Sequence, residues 1–292
     1  MSEKCFACPR QCGADRDNGA GFCQTGSTFR LARAALHHWE EPCISGTNGS
    51  GTIFFSGCNL KCVYCQNYEV SHNCFGKDIT DERLVEIMRE LVRQGAHNIN
   101  LVNPSHYAKR LAEILKSNHF DVPIVYNTSG YDSAETLKEL DGAVDIYLTD
   151  LKYYDPAVSQ RYSLAADYFE KAFAAVTEMK RQQPNDVFDC DGIMQKGVII
   201  RNLILPGNIS QSIKVLDAIA DNFGKDTIVS LMSQYTPFGE AKNYPTINRR
   251  ISKREYKTVR DHLYSLGFEN IFIQELSSAK EEYIPPFDLT GV

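Results

Sequence analysis

Gly57-Cys58-Asn59-Leu60-Lys61-Cys62-Val63-Tyr64-Cys65 places three cysteines at C-x3-C-x2-C, directly after the apolar run Gly51-Thr52-Ile53-Phe54-Phe55-Ser56. Three thiolates on one loop can hold three corners of an iron–sulfur cube and leave the fourth iron open to a substrate or cofactor. A structural zinc site needs four nitrogen or sulfur ligands, so Cys43 or Cys74 would have to complete one here. A disulfide set would require an exported chain, and nothing in the sequence suggests export.

Cys5, Cys8, Cys12 and Cys23 form a second set, with Gly13, Gly19, Gly21 and Gly26 permitting tight turns. Four thiolates with no spare position describe a closed site, and zinc and a second iron–sulfur cluster both suit it. Seven of the ten cysteines fall in these two groups. Cys43, Cys74 and Cys190 stand apart, as small buried residues usually do.

The chain has 292 residues, 43% of them hydrophobic and 23% charged, enough for one full-sized core. A net charge of −6 argues against a nucleic-acid partner. The basic group Arg249-Arg250 with Lys253-Arg254 reads as a solvated helix start. The N-terminal residues show no signal-peptide core, and no apolar run reaches the roughly 20 residues of a spanning helix. No membrane partner and a cytoplasmic location are therefore expected, and ten cysteines there point to metal or redox chemistry.

Positioning these loops requires a scaffold. Strand-like runs fall at 51–56, 98–102, 123–127, 145–149, 197–203 and 227–232, with a shorter one at 270–274. Helical patterns lie near 81–95, 105–117, 133–140, 158–181, 210–223 and 252–266. Thr80 is a cap for the first helix and Gly95 a stop. In the longest helix Tyr162, Ala166, Phe169, Phe173 and Val176 make an apolar stripe for a sheet. Alternating strands and helices predict parallel strands with right-handed crossovers. The fold class is α/β: a partial, open (β/α)6 TIM-like barrel over residues 46–292, with a small Cys-rich module at 1–45. In such barrels polar residues at the carboxyl ends of strands converge on one cavity.

The triad and its aromatic Tyr64 resemble the signature of the radical S-adenosylmethionine (SAM) superfamily. Wider stretches resemble its pyruvate formate-lyase activating branch of uncharacterised iron–sulfur proteins. These are Cys5–Cys12 with Pro9-Arg10, Glu41-Pro42-Cys43-Ile44-Ser45-Gly46, Asn103-Pro104-Ser105-His106, Asp150-Leu151-Lys152-Tyr153-Tyr154-Asp155 and Ser233-Gln234-Tyr235-Thr236-Pro237. The resemblance implies the open barrel and a 4Fe–4S cluster on Cys58, Cys62 and Cys65, whose open iron binds SAM. An external one-electron donor such as flavodoxin or ferredoxin would then drive cleavage to a 5′-deoxyadenosyl radical that abstracts hydrogen. The target would be a glycyl-radical protein, or else a small molecule or peptide. A non-enzymatic electron-transfer or sensor protein is the remaining alternative, with Cys74 as fourth ligand.

Many superfamily members carry Gly-Gly-Glu after the second strand to hold the cofactor's amino group. This chain has Asn103-Pro104 there, so Asn103 is assigned that role, against a simple turn. Asn127 and Ser129 cap the third strand and are assigned to the cofactor. Asp150 and Lys152 end the fourth, and the resemblance places them near ribose and carboxylate; a mutual surface pair is the plainer alternative. Arg201, inside an apolar strand, needs a cofactor carboxylate or a structural one. Tyr64 would pack on cluster or adenine, and Gln234 with Tyr235 would line the cavity. His106 and Tyr107 are candidates on the substrate side. The activating enzymes with extra clusters carry a ferredoxin-like insertion after the triad, and the short stretch between Cys65 and Thr80 has no room for one.

Overall fold

The computed structural model describes residues 4–276 and 285–292. β1 (Lys4–Cys5) and β2 (Ala14–Asp15) form a small antiparallel hairpin. The other described strands share one sheet. They are β3 (Phe29–His37), β4 (Ser50–Phe55), β5 (Lys77–Ile79), β6 (Ile99–Val102), β7 (Ile124–Thr128), β8 (Ile146–Asp150), β9 (Val187–Phe188), β10 (Met194–Leu203), β11 (Ile228–Met232) and β12 (Ile271–Ile273). The order is β12-β11-β10-β8-β7-β6-β4-β3-β5, with β9 attached to β10. Along the path from β4 to β12 every pair is parallel, and the side strand β9 pairs antiparallel with β10.

Helices fill the crossovers, as parallel pairing requires. After the short α1 (Pro42–Ser45) and α2 (Tyr68–Ser71) come α3 (Asp81–Arg93), α4 (Ala108–Ser117), α5 (Ala134–Lys138), α6 (Pro156–Ser163), α7 (Tyr168–Gln182), α8 (Ile209–Phe223) and α9 (Lys253–Ser265). Strand–helix alternation from β4 to α9 gives the expected (β/α)6 arrangement. Its strands are apolar on both faces, because helices cover one and the barrel interior the other. Thr80 caps α3 by accepting from the Arg83 amide at 3.2 Å. Ser252 and Glu255 form a reciprocal cap on α9. α1 plugs the barrel: Cys43 and Ile44 pack with Val125, Ile146, Leu148, Met194, Ile199 and Ile228.

Two features differ from the sequence expectation. The helix expected over 158–181 is two, α6 and α7, broken at Leu164, which takes a left-handed φ of 52°. The buried face of α7 is therefore Tyr168, Ala172, Ala175, Val176 and Met179, while Ala166 is exposed. Residues 29–37, assigned to the Cys-rich module, form β3, which pairs antiparallel with β4 and β5. Leu289 and Thr290 also hydrogen-bond to Ala32 and Ala34 of this strand. Among the described residues, no helix is long and apolar enough to cross a membrane.

Candidate active site

The carboxyl ends of β4, β6, β7, β8, β10 and β11 surround a cavity of about 260 Å³. Cys58, Cys62 and Cys65 line it from the loop after β4. Tyr64, Asn103, Asn127, Ser129, Asp150, Lys152, Arg201 and Gln234 line it from that loop and the other strand ends. The barrel thus gathers into one space residues that lie far apart in the sequence.

The triad loop turns sharply at Gly57 (φ 81°) and Lys61 (φ 58°). At Gly57 a side chain is excluded, since a Cβ there would come within 2.6 Å of the Cys23 carbonyl oxygen. Each sulfur of the triad accepts a hydrogen bond. Leu60 N–H donates to Cys58 at 3.3 Å, Ser163 Oγ to Cys62 at 3.0 Å and Ser71 Oγ to Cys65 at 3.3 Å. Burial pushes the Cys62 thiol up to about 12 and raises Cys65 as well. Cation ligation is what makes such buried thiols ionise. Donors aimed at three cavity-facing sulfurs fit a cluster held at three corners.

Among the described residues, no three His, Cys, Asp or Glu side chains come close enough to share a single metal ion. Cys43 and Cys74, the residues that would complete a zinc site, both lie away from the cavity that holds the triad. Cys43 belongs to the α1 plug. Cys74 faces the Cys23 carbonyl and Gln24 rather than the cavity.

Opposite the triad lies a buried charge network. Arg201 Nε contacts Asp150 Oδ1 at 2.8 Å, and its Nη2 donates to Asn127 Oδ1 at 2.7 Å. Arg201 Nη1 lies 3.4 Å from Glu40 Oε2, and Lys152 pairs with the other oxygen of Asp150. Glu40 Oε1 accepts from Asn100 and Asn127, each at 3.2 Å. Burial alone would raise the Asp150 carboxyl, but the Arg201 and Lys152 charges hold it below the usual carboxylate range. Burial wins at Glu40, whose carboxyl is raised although Arg201 opposes the shift. The Ser129 hydroxyl is buried at the cavity without a hydrogen-bond partner. A ligand hydroxyl would satisfy it.

The family model for the Radical SAM superfamily matches residues 52–194. An uncharacterised protein of Methanocaldococcus jannaschii is 31% identical over 262 residues, covering 87% of this chain and 72% of that protein. The chain belongs to the radical SAM superfamily. A 7-carboxy-7-deazaguanine synthase of Methanothermobacter thermautotrophicus is 23% identical over 166 residues, 56% of this chain and 59% of that protein. The structure of Streptococcus suis SuiB bound to S-adenosylmethionine is similar with a TM-score of 0.49 at 13% identity, over 77% of this chain and 50% of SuiB. This radical SAM chain thus spans about half the length of that solved structure. The match reaches the superfamily and stops short of the pyruvate formate-lyase activating branch.

Within this radical SAM cavity several sequence assignments take a different form. Arg201 is satisfied by the chain's own Asp150 and Glu40, so the structural-carboxylate alternative is the one built. The Asp150–Lys152 pair forms, but it is buried rather than at the surface. His106 and Tyr107 do not line the cavity: His106 Nε2 bonds the Ser56 carbonyl at 2.8 Å, and Tyr107 donates to the Thr28 carbonyl at 3.0 Å. Tyr64 lies edge-on to Tyr235 at 5.6 Å and bonds the Tyr153 hydroxyl at 2.6 Å. Tyr153 in turn bonds Ser163 at 2.7 Å, so a chain of hydroxyls ends on the Cys62 sulfur. Sequence reasoning missed Glu40, Ser163 and Tyr153 as site residues. Neither Glu40 nor Ser163 carried a signal in the sequence, whereas Tyr153 sits inside the Asp150–Asp155 stretch already singled out.

Asn103 holds a left-handed φ of 60° and donates from Nδ2 to the Gly57 carbonyl at 2.5 Å. Asn103→Ala is expected to destabilise the protein by about 1–2 kcal/mol, and Asn103→Gly by less, because only the alanine carries the left-handed penalty. Thermal melting of the pair checks this.

Burial, helped by the Arg16 charge, lowers the His106 imidazole to about 3. An unfolded histidine titrates near 6.5, so below that pH the unfolded chain takes up a proton that the folded state refuses. Stability is expected to fall by up to about 1.4 kcal/mol per pH unit as pH drops from roughly 6.5 toward the folded value. Urea midpoints at pH 7, 6 and 5 should show a shallower slope for His106→Gln.

Proposed function

We propose that this protein reductively cleaves S-adenosylmethionine in the cavity above β4–β11 and uses the resulting 5′-deoxyadenosyl radical to abstract hydrogen from a small molecule or peptide. The observation that carries the reading is the convergence of three hydrogen-bonded cysteine sulfurs and an orphaned hydroxyl on one cavity. Cys58, Cys62 and Cys65 would hold the 4Fe–4S cluster. That group supplies one electron at low potential when bound. Everything else falls to the protein's own side chains.

Asp150 and Ser129 suit ribose hydroxyls as acceptor and donor, and Lys152 suits a carboxylate. Asn103, the assigned replacement for Gly-Gly-Glu, spends its amide on Gly57, leaving its side-chain oxygen for an amino group. Glu40, also in the cavity wall, is the second acceptor for such a group. Tyr64, Tyr235 and Gln234 offer two aromatic faces and an amide to adenine or substrate. His37, Trp39 and Glu40 close one side of the cavity. A small substrate or a peptide end is preferred to glycyl-radical activation because the matches reach the superfamily and not the activating branch. The electron donor would be a flavodoxin or ferredoxin.

The test is anaerobic reconstitution, dithionite and S-adenosylmethionine, with 5′-deoxyadenosine as readout; no product from an iron-loaded protein would overturn the proposal. Cys74→Ser is expected to leave iron content and product yield unchanged. Loss of the triad cluster in that variant would favour the electron-transfer alternative instead.

A further inference from the structure

The radical chemistry leaves Cys5, Cys8, Cys12 and Cys23 unused, yet their segment is fastened to the triad loop. The Cys58 amide donates to the Cys23 carbonyl at 3.3 Å. Arg10, between Cys8 and Cys12, donates from Nε to the Asn59 carbonyl at 2.8 Å and from Nη2 to the Leu60 and Ser163 carbonyls at 3.3 and 3.0 Å. Its Nη1 reaches the Leu164 carbonyl, and its guanidinium stacks 4.0 Å from the Phe22 ring centre. One arginine thus ties the second cysteine set to the backbone between Cys58 and Cys62, and to the serine that faces Cys62.

The four cysteines lie in one compact turn system. Gly13 N–H donates to the Cys5 carbonyl at 3.1 Å and Gln11 N–H to the Cys8 carbonyl at 3.0 Å. A Cβ at Gly21 would lie 3.1 Å from the Cys12 sulfur and 3.6 Å from the Cys23 sulfur, so both sulfurs face the same side-chain-free spot. Cys8 and Cys23 are buried and Cys12 is exposed. A zinc ion bonds each thiolate at about 2.3 Å from one point, which forces tight convergence of all four sulfurs. Among the described residues neither cysteine set places three ligands where one metal ion could be held. Wider spacing is what a cube requires, because each sulfur binds its own iron.

Lys61 lies between the two sets. Its ammonium is buried and donates to Gln24 Oε1 at 2.7 Å and to the Ser71 carbonyl at 2.9 Å, both neutral oxygens. Cys74, Cys58, Cys23 and Cys65 act on it, as do the neighbouring His72 and His106 rings. A buried cation needs negative surroundings. Metal-bound thiolates on both sides would supply them.

We propose that Cys5, Cys8, Cys12 and Cys23 hold a fully ligated iron–sulfur cluster that relays single electrons to the triad site through the Cys23–Cys58 hydrogen bond. The relay half rests on the radical SAM reading; the metal half does not. A donor of the reduced-flavin or ferredoxin class gives one electron to the N-terminal cluster, entering beside exposed Cys12. The same electron then passes to the triad site and the N-terminal cluster returns to its oxidised state, so no bond or proton changes hands. The path runs through the covalent bonds of Cys23, one hydrogen bond and the covalent bonds of Cys58.

The full chain carrying Cys58→Ser, Cys62→Ser and Cys65→Ser, reconstituted anaerobically, separates the two halves. It is expected to retain about four irons, bind no zinc, and give a dithionite-reduced paramagnetic signal that S-adenosylmethionine leaves unchanged. Stoichiometric zinc, or no metal, overturns the metal assignment. If that variant fails to fold, the wild-type count decides: about eight irons supports the proposal, about four irons with one zinc overturns it. For the relay, Cys12→Ala is expected to keep the response of the triad signal to S-adenosylmethionine. Its single-turnover reduction by reduced flavodoxin should slow roughly tenfold or more. An unchanged rate overturns the relay while leaving the catalytic reading intact.

Discussion

Cys62→Ser is expected to abolish 5′-deoxyadenosine formation, lowering the yield more than about 100-fold while the protein stays folded. The Cys62 side chain is buried, its sulfur accepts from Ser163, and the Lys152 charge acts on it. Loss of an outer hydrogen-bond partner at a metal site costs roughly 10–100-fold, so loss of the ligand itself should exceed that range. The fold should survive, because serine replaces one buried atom in a loop whose turns are set by Gly57 and Lys61. The measurement is iron content and product yield against wild type, with circular dichroism as the folding control. Unchanged yield would remove Cys62 from the ligand set. Ser163→Ala should instead keep the iron and shift the potential of the triad cluster, since the sulfur loses a donor.

Arg201→Met is expected to destabilise the fold by about 3–5 kcal/mol, the cost of leaving buried carboxylates without their cation. Arg201 is shared by Asp150, Glu40 and Asn127, and all of these side chains are largely enclosed. Lys152 can neutralise only Asp150. Adding Glu40→Gln to Arg201→Met should therefore recover part of the loss, and that non-additivity identifies the network as the cause. Arg201→Lys should fall between, because an ammonium cannot span Asp150 and Asn127 as a planar fork does. Urea denaturation of wild type, Arg201→Met, Arg201→Lys, Glu40→Gln and the double variant checks the ranking and the non-additivity. A loss under about 1 kcal/mol in Arg201→Met would mean that solvent, not Arg201, satisfies these carboxylates.

Much of this site was legible before the fold was known, for a physical reason. Parallel strands are apolar on both faces, so Ile99–Val102, Ile124–Thr128, Ile146–Asp150 and Ile228–Met232 stand out, and the polar residues at their carboxyl ends mark the cavity. Asn127, Asp150, Lys152 and Gln234 were picked out this way, and all four line the cavity. β3 was missed because Phe29–His37 is rich in alanine and arginine and has no β-branched residue, and so lacks the usual strand signal. The break at Leu164 was missed because no glycine or proline marks it. Glu40 and Ser163 enter the site through tertiary packing alone. Arg201 shows the limit most clearly: its strand context demanded a partner, and only the structure shows that the partner comes from β8 and the loop after β3.

The pairing of Leu289 and Thr290 with Ala32 and Ala34, fastened by Arg33 to Asp288 across 255 positions of chain, bears on how the molecule is born. A ribosome delivers Arg33 of β3 255 positions before Asp288, which lies along it. Such distant partners make assembly slow, so the edge of β3 beyond its pairing with β5 stays uncovered until that segment arrives. That interval is when nascent chains could stick to one another, and a holdase chaperone or slowed elongation should raise soluble yield more than a lower growth temperature alone.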